Sequence, residues 1–353
     1  MVRRRTVTIE DIARAAGVSH TTVSRALRDN PLISADMRQQ IQRLSRDMGY
    51  IPNAVAQSLQ MRRTNTIGLI VTSIADPFFG DVVKGVDAVA GAAKISLFLS
   101  TSHNDPEQEL AVIETFHRRR VDGVLVAASR MSERHAERLA RLRVPAVLIN
   151  GQVETGSDLL HSVAVDEQAG ARAAVEHLLQ LGHRAIGYLG SESRPRSNER
   201  RLLGYRQALD AAGLSCDDAL VAYAAASGAL QEDDVAAGQS LLPRLLDLGV
   251  SAVFCYNDST AIGALVACRE RGIAVPGQLS LVGFDDIAMA RYGNPPLTTV
   301  RQPKVEMGGL AMQMLLDLLD DRPVRDHVLA PTLVVRGSTG PVGRREQDTV
   351  DRD

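Results

Sequence analysis

The sequence contains no tryptophan and only 3% aromatic residues, so ring stacking on a ligand is limited from the outset. Its three cysteines, Cys216, Cys255 and Cys268, form neither a C-x-x-C pair nor an even framework. That excludes a disulfide scaffold or a cysteine zinc site and fits small core residues of a reducing compartment. No run approaches the roughly 20 apolar residues of a membrane-spanning helix. The opening MVRRRTVTIED has basic residues with no apolar stretch behind them, so no secretory leader is expected and the cytoplasm is the expected compartment. Also missing are G-x-G-x-x-G, a Walker loop, H-E-x-x-H and G-x-S-x-G. Without a phosphate cradle or a nucleophile turn the chain reads as a binder rather than an enzyme, and no cofactor or metal is expected. The polar end GSTGPVGRREQDTVDRD carries no heptads for a coiled-coil assembly.

What is present is ordinary globular material. At 353 residues, 45% hydrophobic and 23% charged, the chain is long enough for two or three domains with cores of their own. The formal net charge of −2 conceals an asymmetry: residues 1–63 hold eleven Arg against five Asp and Glu, a net +6, which leaves −8 on the remainder. A basic head on an acidic body points to a polyanionic partner for the head alone.

The stretch TIEDIARAAGVSHTTVSRAL, Thr8 to Leu27, organises that head. Ile9, Ile12, Ala13 and Ala16 form one apolar stripe on a helix capped by Thr8, with Asp11 as capping-box partner. Gly17-Val18-Ser19 supplies a stop, a buried turn residue and the hydroxyl cap of a second helix. That helix buries Val23, Ala26 and Leu27 and leaves His20, Thr21, Ser24, Arg25 and Arg28 as a polar, cationic face. This is the helix-turn-helix pattern, although two helices of any small bundle with a solvated Arg face fit the same spacing. Ser34 is expected to cap a third helix through Met37, Ile41, Leu44 and Met48 that ends at Gly49. Asn53 to Leu59 can restart as one or two helical turns, too short to be stable unaided.

From Thr66 the pattern changes to short apolar strands alternating with helices, the signature of βαβ units around mostly parallel, two-sided sheets. The expected fold is thus α/β: an all-α helix-turn-helix headpiece followed by two doubly wound parallel-sheet lobes. The expected boundaries are a headpiece over 1–60 with a hinge helix at 53–60, a linker at 61–65, and a two-lobed module over 66–340. Its first lobe takes 66–161 and 294–326, its second 162–293 and 327–340, and 341–353 is expected to be a disordered tail.

A run of motifs now carries a resemblance over essentially the whole chain: Gly17-Val-Ser-x-Thr-Thr-Val-Ser-Arg25, Gly49-Tyr-x-Pro-Asn53, Ala56-x-Ser-Leu59, Asp76-Pro-Phe-Phe79, Val121-Asp-Gly-Val124, Leu181-Gly-His-Arg184, Arg201-x-x-Gly-Tyr205, Asn257-Asp258, Val282-Gly-Phe-Asp-Asp286 and Gln302-Pro303. In this order and spacing the sequence resembles bacterial transcription regulators of the LacI/GalR family, whose effector modules are related to periplasmic sugar-binding proteins. The resemblance implies a sequence-specific DNA-binding regulator, most often a repressor, acting as a homodimer on a pseudo-palindromic operator of double-stranded DNA. Its operator affinity would be set by a small polar effector of the sugar or nucleoside class bound between the lobes. It places His20, Thr21 and Arg25 on bases, Ser19, Thr22, Arg28 and Asn30 on phosphates and caps, and Thr8, Ser24 and Asn53 among the other DNA-binding residues. Leu59 becomes the wedge in the central minor-groove step, with Ala56 allowing close approach. It places effector contacts at Phe78, Phe79, Ser197, Arg201, Asn257 and Asp285, with Asp166 near the lobe crossover. Each has a plainer reading: Asp166, Asn257 and Asp285 as helix caps, Phe79 as core, Arg201 as half of a surface ion pair. The sequence departs from the family at Glu167, where an amide is common, and at 224–230, which lacks an aromatic. A solute-binding protein or an enzyme on the same two-lobed fold is the rival reading.

Overall fold

The computed structural model describes residues 7–50, 63–128, 141–151, 158–192, 194–224 and 234–343. The chain divides into two compact units, Met1–Thr64 and Asn65–Asp353.

In the first unit, α1 (Ile9–Ala16), α2 (His20–Ala26) and α3 (Ala35–Asp47) surround a core of Ile12, Ala13, Val23, Ala26 and Ile41, flanked by Met37, Leu44, Met48 and Tyr50. Local chemistry fixes the first two helices. The Thr8 hydroxyl accepts from the Asp11 amide at 3.3 Å while the Asp11 carboxylate accepts from the Thr8 amide at 3.0 Å, a reciprocal capping box. Gly17 sits at φ 67°, where a side chain would be strained, and ends α1. Ser19 caps α2 by accepting from the Thr22 amide at 3.1 Å. Ser34 precedes α3 as expected but makes no side-chain cap bond. The expected hinge helix lies outside the described residues.

The second unit holds two six-stranded sheets. The first runs β11-β5-β4-β3-β1-β2, where β1 is Thr66–Val71, β2 Ser96–Thr101, β3 Gly123–Ala127, β4 Ala146–Ile149, β5 Leu160–Val165 and β11 His327–Leu329. The second runs β12-β10-β9-β8-β6-β7, where β6 is Ile186–Ser191, β7 Val221–Ala224, β8 Ala252–Cys255, β9 Ser280–Asp285, β10 Thr298–Arg301 and β12 Thr332–Val334. All described pairings are parallel except β10 with β12. Helices cover both faces, among them α4 (Pro77–Ala92), α5 (Pro106–Arg118), α6 (Glu167–Gln180), α7 (Pro195–Ala211), α8 (Asp234–Asp247), α9 (Asp258–Glu270) and α10 (Lys304–Leu319).

Three expected boundaries are corrected by this pairing. The segment from Ser162 does not open the second lobe: β5 pairs parallel with β4 and belongs to the first sheet. The strand at 297–300 does not return to the first lobe, because β10 lies beside β9. His327–Leu329 joins β5 in the first sheet instead of beginning the end of the second. The chain therefore crosses between lobes at Asp166, at Gln302-Pro303 and at Ala330-Pro331. Nor does order stop at residue 340, since the Val342 amide donates to the Leu181 carbonyl at 3.0 Å; residues 344–353 lie outside the described residues.

The first lobe's core gathers Ile67, Leu69, Val82, Val86, Leu125 and Val147 with Met307, Ala311 and Leu315 of α10, which does return there as expected. In the second lobe, α8 and α9 pack so closely that a Cβ on Gly238 would lie 1.9 Å from the Thr260 carbonyl oxygen, and one on Gly263 1.9 Å from that of Val235. Among the described residues, no helix is long and apolar enough to cross a membrane, and no cluster of His, Cys, Asp and Glu has the makings of a metal site.

Candidate DNA interface and interlobe site

On the headpiece, His20, Thr21 and Arg25 project from α2 as exposed side chains, opposite the buried Val23 and Ala26. Ser19 and Thr22 are joined Oγ to Oγ1 at 2.9 Å. The Arg28 fork is held back against the end of α2, Nε donating to the Ser24 carbonyl at 3.0 Å and Nη2 to Ser24 Oγ at 2.9 Å. Thr8 is exposed at the start of α1, its hydroxyl donating to Asp11 at 3.0 Å. A short cationic helix face backed by a rigid core is what base and phosphate contacts require. Asn53, Ala56 and Leu59 lie outside the described residues.

In the two-lobed unit, Arg201, Asn257 and Asp285 lie at the carboxyl ends of β8 and β9, where open α/β sheets bind ligands. Arg201, on α7, is 3% exposed. Nε and Nη2 donate to Glu167 Oε1 at 3.1 and 2.7 Å, and Nη1 donates to the Tyr256 carbonyl at 2.6 Å. Asp285 lies 3.6 Å from Nη2. The guanidinium is layered between rings, 3.9 Å from the Phe284 centroid and 4.6 Å from that of Tyr256. Burial alone would lower its pKa, but Glu167 and Asp285 raise it above the ordinary arginine value. The ion-pair reading of Arg201 is thus correct about the pairing and wrong about the surface.

Asp285 ends β9 at φ 112°, followed by Asp286 at φ 50°, two non-glycine residues in left-handed backbone. Such strain persists only where the surroundings hold it. Here Gln302 Nε2 donates to Asp285 Oδ1 at 2.6 Å, and Lys304 Nζ donates to the carbonyls of Asp285 and, at 2.9 Å, Asp286. Arg336 and Arg301 hold the Asp286 carboxylate at 2.5 and 2.7 Å. Burial pushes Asp285 up to about 6, against the opposing pull of Arg201 and Lys304.

The remaining expected residues divide. Asn257 caps α9, Oδ1 accepting from the Thr260 amide at 2.8 Å, and its amide donates to Asp234 at 2.7 Å. Asp166 is exposed and caps α6 by accepting from the Ala169 amide at 2.9 Å. Ser197 is half-buried in the first turn of α7. Phe78 and Phe79 are both core residues of the first lobe, edge to face with centroids 5.2 Å apart.

Residues 8–53 match the family described as bacterial regulatory proteins, lacI family, and residues 175–339 match a periplasmic binding protein-like domain. The HTH-type transcriptional regulator GalR of Escherichia coli (strain K12) is 38% identical over 335 residues, covering 94% of this chain and 95% of the relative. This chain belongs to the lacI family. It is a DNA-binding transcriptional regulator and not an enzyme. The fold agrees with that of a Lac repressor dimer bound to operator and the anti-inducer ONPF, at a TM-score of 0.83 and 27% identity over 95% of this chain and 100% of the other. It also matches a transcriptional regulator CelR–cellobiose complex at a TM-score of 0.70 and 29% identity, covering 94% and 99% of the two chains.

Several groups in this lacI-family cleft were not singled out from the sequence. Arg194, at the start of α7 in the second lobe, reaches across to the first. It donates to Asp76 and, at 3.3 Å, to Thr72 Oγ1, and its guanidinium lies 5.4 Å from the Phe79 ring centroid. Lys304 crosses in the other direction, from α10 of the first lobe to the Asp285-Asp286 turn of the second, and lies 3.8 Å from Asp81. Tyr256 lies beneath Arg201. No motif marks Arg194, Lys304 or Tyr256, because each acts through residues distant in sequence. Glu167 did stand out as a departure, and its role as the anion of Arg201 explains why an acid rather than an amide sits there.

Proposed function

We propose that the chain represses transcription as a cytoplasmic homodimer on a pseudo-palindromic operator, and that a neutral polyhydroxyl effector of the sugar or nucleoside class sets its operator affinity. The observation carrying the effector reading is the buried set of Arg201, Glu167 and Asp285 at the strand ends beside Asn257. Carboxyl groups and a guanidinium held in fixed geometry match the donor and acceptor pattern of vicinal hydroxyls. The charges at the cleft also favour a neutral ligand: among the described residues that pair there, Asp76, Asp81, Glu167 and Asp285 already match Arg194, Arg201 and Lys304. Relatives that bind cellobiose and ribose support the same class.

One headpiece reads too few base pairs for useful specificity, which is the argument for two. The second unit offers apolar surface to a second copy. The edge strand β2 presents Phe98 and Leu99, 42% and 46% exposed, and Met289 and Tyr292 stand out at 59% and 80% beside a groove lined by Ile262, Leu265 and Val266.

The test is to select operator fragments from genomic DNA and follow their binding by fluorescence anisotropy while sugars and nucleosides are added. Asp285→Ala should retain operator binding without effector and lose the effector response. A retained response would show that the effector binds elsewhere, and a wild-type chain with no preference for any symmetric duplex would remove the whole reading.

A further inference from the structure

Tyr256 is 1% exposed, yet its hydroxyl has no hydrogen-bond partner among the described residues. The other buried tyrosines of this lobe are satisfied: Tyr188 Oη donates to Asn198 Oδ1 at 2.9 Å and Tyr205 Oη to the Ile186 carbonyl at 2.7 Å. Buried polar groups are nearly always paired, and an unpaired one in a native fold calls for an explanation.

The position of this phenol supplies one. Tyr256 immediately follows β8 and precedes Asn257, so it stands at the carboxyl end of a central strand. Its carbonyl accepts from Arg201 and its ring lies beneath the same guanidinium. The charged groups that act on its hydroxyl are Arg201, Arg194, Glu167 and Asp234: the buried ion pair, the arginine that crosses to the first lobe, and the carboxylate that Asn257 donates to. All four belong to the interlobe site. Burial raises the phenol well above its ordinary value, so it stays a neutral donor.

We propose that Tyr256 Oη is a specificity-determining donor of the interlobe site, giving its hydrogen bond to an oxygen of the polyhydroxyl effector. The inference deepens the reading of the preceding section and rests on it. A site that leaves a buried donor unpaired until ligand arrives discriminates sharply against analogues lacking the matching oxygen, because those leave the donor unpaired still.

The test is Tyr256→Phe in the full chain, which keeps the ring under Arg201 and removes only the hydroxyl. Effector affinity is measured by calorimetry for whichever of galactose, ribose, cellobiose, adenosine or uridine shifts wild-type operator binding, and stability is measured with no small molecule added. The expected result is an affinity loss of about 10- to 100-fold with unchanged or increased stability. Wild-type affinity in the variant overturns the inference alone. A clear loss of stability in the variant also overturns it, since the hydroxyl would then have a partner inside the fold, a trapped water included. A wild-type chain that binds operator but none of the probes overturns the polyhydroxyl reading and this inference with it.

Discussion

Replacing Arg194 with alanine tests whether the lobes are tied across the cleft by the chain itself. The Arg194 and Asp76 side chains are 15% and 20% exposed, and the guanidinium also donates to Thr72 and stacks on Phe79. Breaking a fully buried pair by removing one partner costs about 3–5 kcal/mol, chiefly through the charge left stranded. That figure is too large here. When the lobes part, both groups regain water, and Lys304 and the three crossovers still join the lobes. The net contribution to closure is then that of charged hydrogen bonds in a partly solvated site, about 1–2 kcal/mol, or a factor of roughly 5–30 in the open population. Hydrogen exchange of the full chain, read over 72–79 and 194–201 with no small molecule added, reports that population. Arg194→Ala should speed exchange in 72–79, on the opposite lobe, by on the order of tenfold. Asp76→Asn should do the reciprocal at 194–201 while still accepting from the Phe78 amide, a bond of 2.9 Å that caps α4. If each substitution changes exchange only in its own lobe, Arg194 is a local contact and the tie does not exist.

Two further outcomes follow from packing and titration. Gly238→Ala should destabilise the effector module by about 1–3 kcal/mol, read as a lower urea midpoint, because its Cβ would fall 1.9 Å from the Thr260 carbonyl and force α8 away from α9; an unchanged midpoint would mean that the helices part freely. Burial raises Asp285 to about 6 in the folded chain, against about 3.9 in an unfolded one. The folded state therefore holds the extra proton between those values, so the contribution is present at acid pH and lost as pH rises through about 6, by about 3 kcal/mol in all. Urea titrations from pH 4.5 to 7.5 should show wild type losing stability relative to Asp285→Asn as pH rises. The comparison cancels His183, whose pKa burial lowers, so that it removes stability as pH falls below about 6.5. A constant difference across the range would place the Asp285 carboxyl in water.

The headpiece was legible in the sequence because its determinants are local. Thr8 and Asp11, Gly17, and Ser19 and Thr22 act within three residues of one another, and each does in the structure what its spacing demands. The strands were legible as strands for the same reason. Which sheet each one joins was not. Leu160–Val165 and Thr298–Arg301 are short apolar runs that satisfy either lobe equally, and only pairing with Ala146–Ile149 and Ser280–Asp285 decides between them. Since a parallel neighbour is reached by a long connection, no turn signal in the sequence announces it. The assignment of lobes therefore failed at the places where the chain crosses between them.

The cleft shows the same division. Asp285, Asn257 and Arg201 stand out in the sequence because each follows a strand or belongs to a motif, but the sequence did not say what occupies their polar groups. Arg201 is matched by Glu167, 34 residues away, and Arg194 by Asp76, 118 residues away. Pairs at such separations form only after both sheets exist, so they belong to the assembled module and have no local signature. Their consequence is mechanical as well as electrostatic. Asp285 accepts from Gln302, which lies in a crossover segment; Gln302 accepts from Asn150 at 2.8 Å, and Asn150 accepts from the Val165 amide beside a second crossover at 3.2 Å. If the effector binds as proposed, a ligand hydroxyl that donates to the same Asp285 oxygen would compete with Gln302 for it. On that proposal, occupation of the site and the seating of two of the three interlobe connections would draw on one carboxylate, with no intervening element needed to link them.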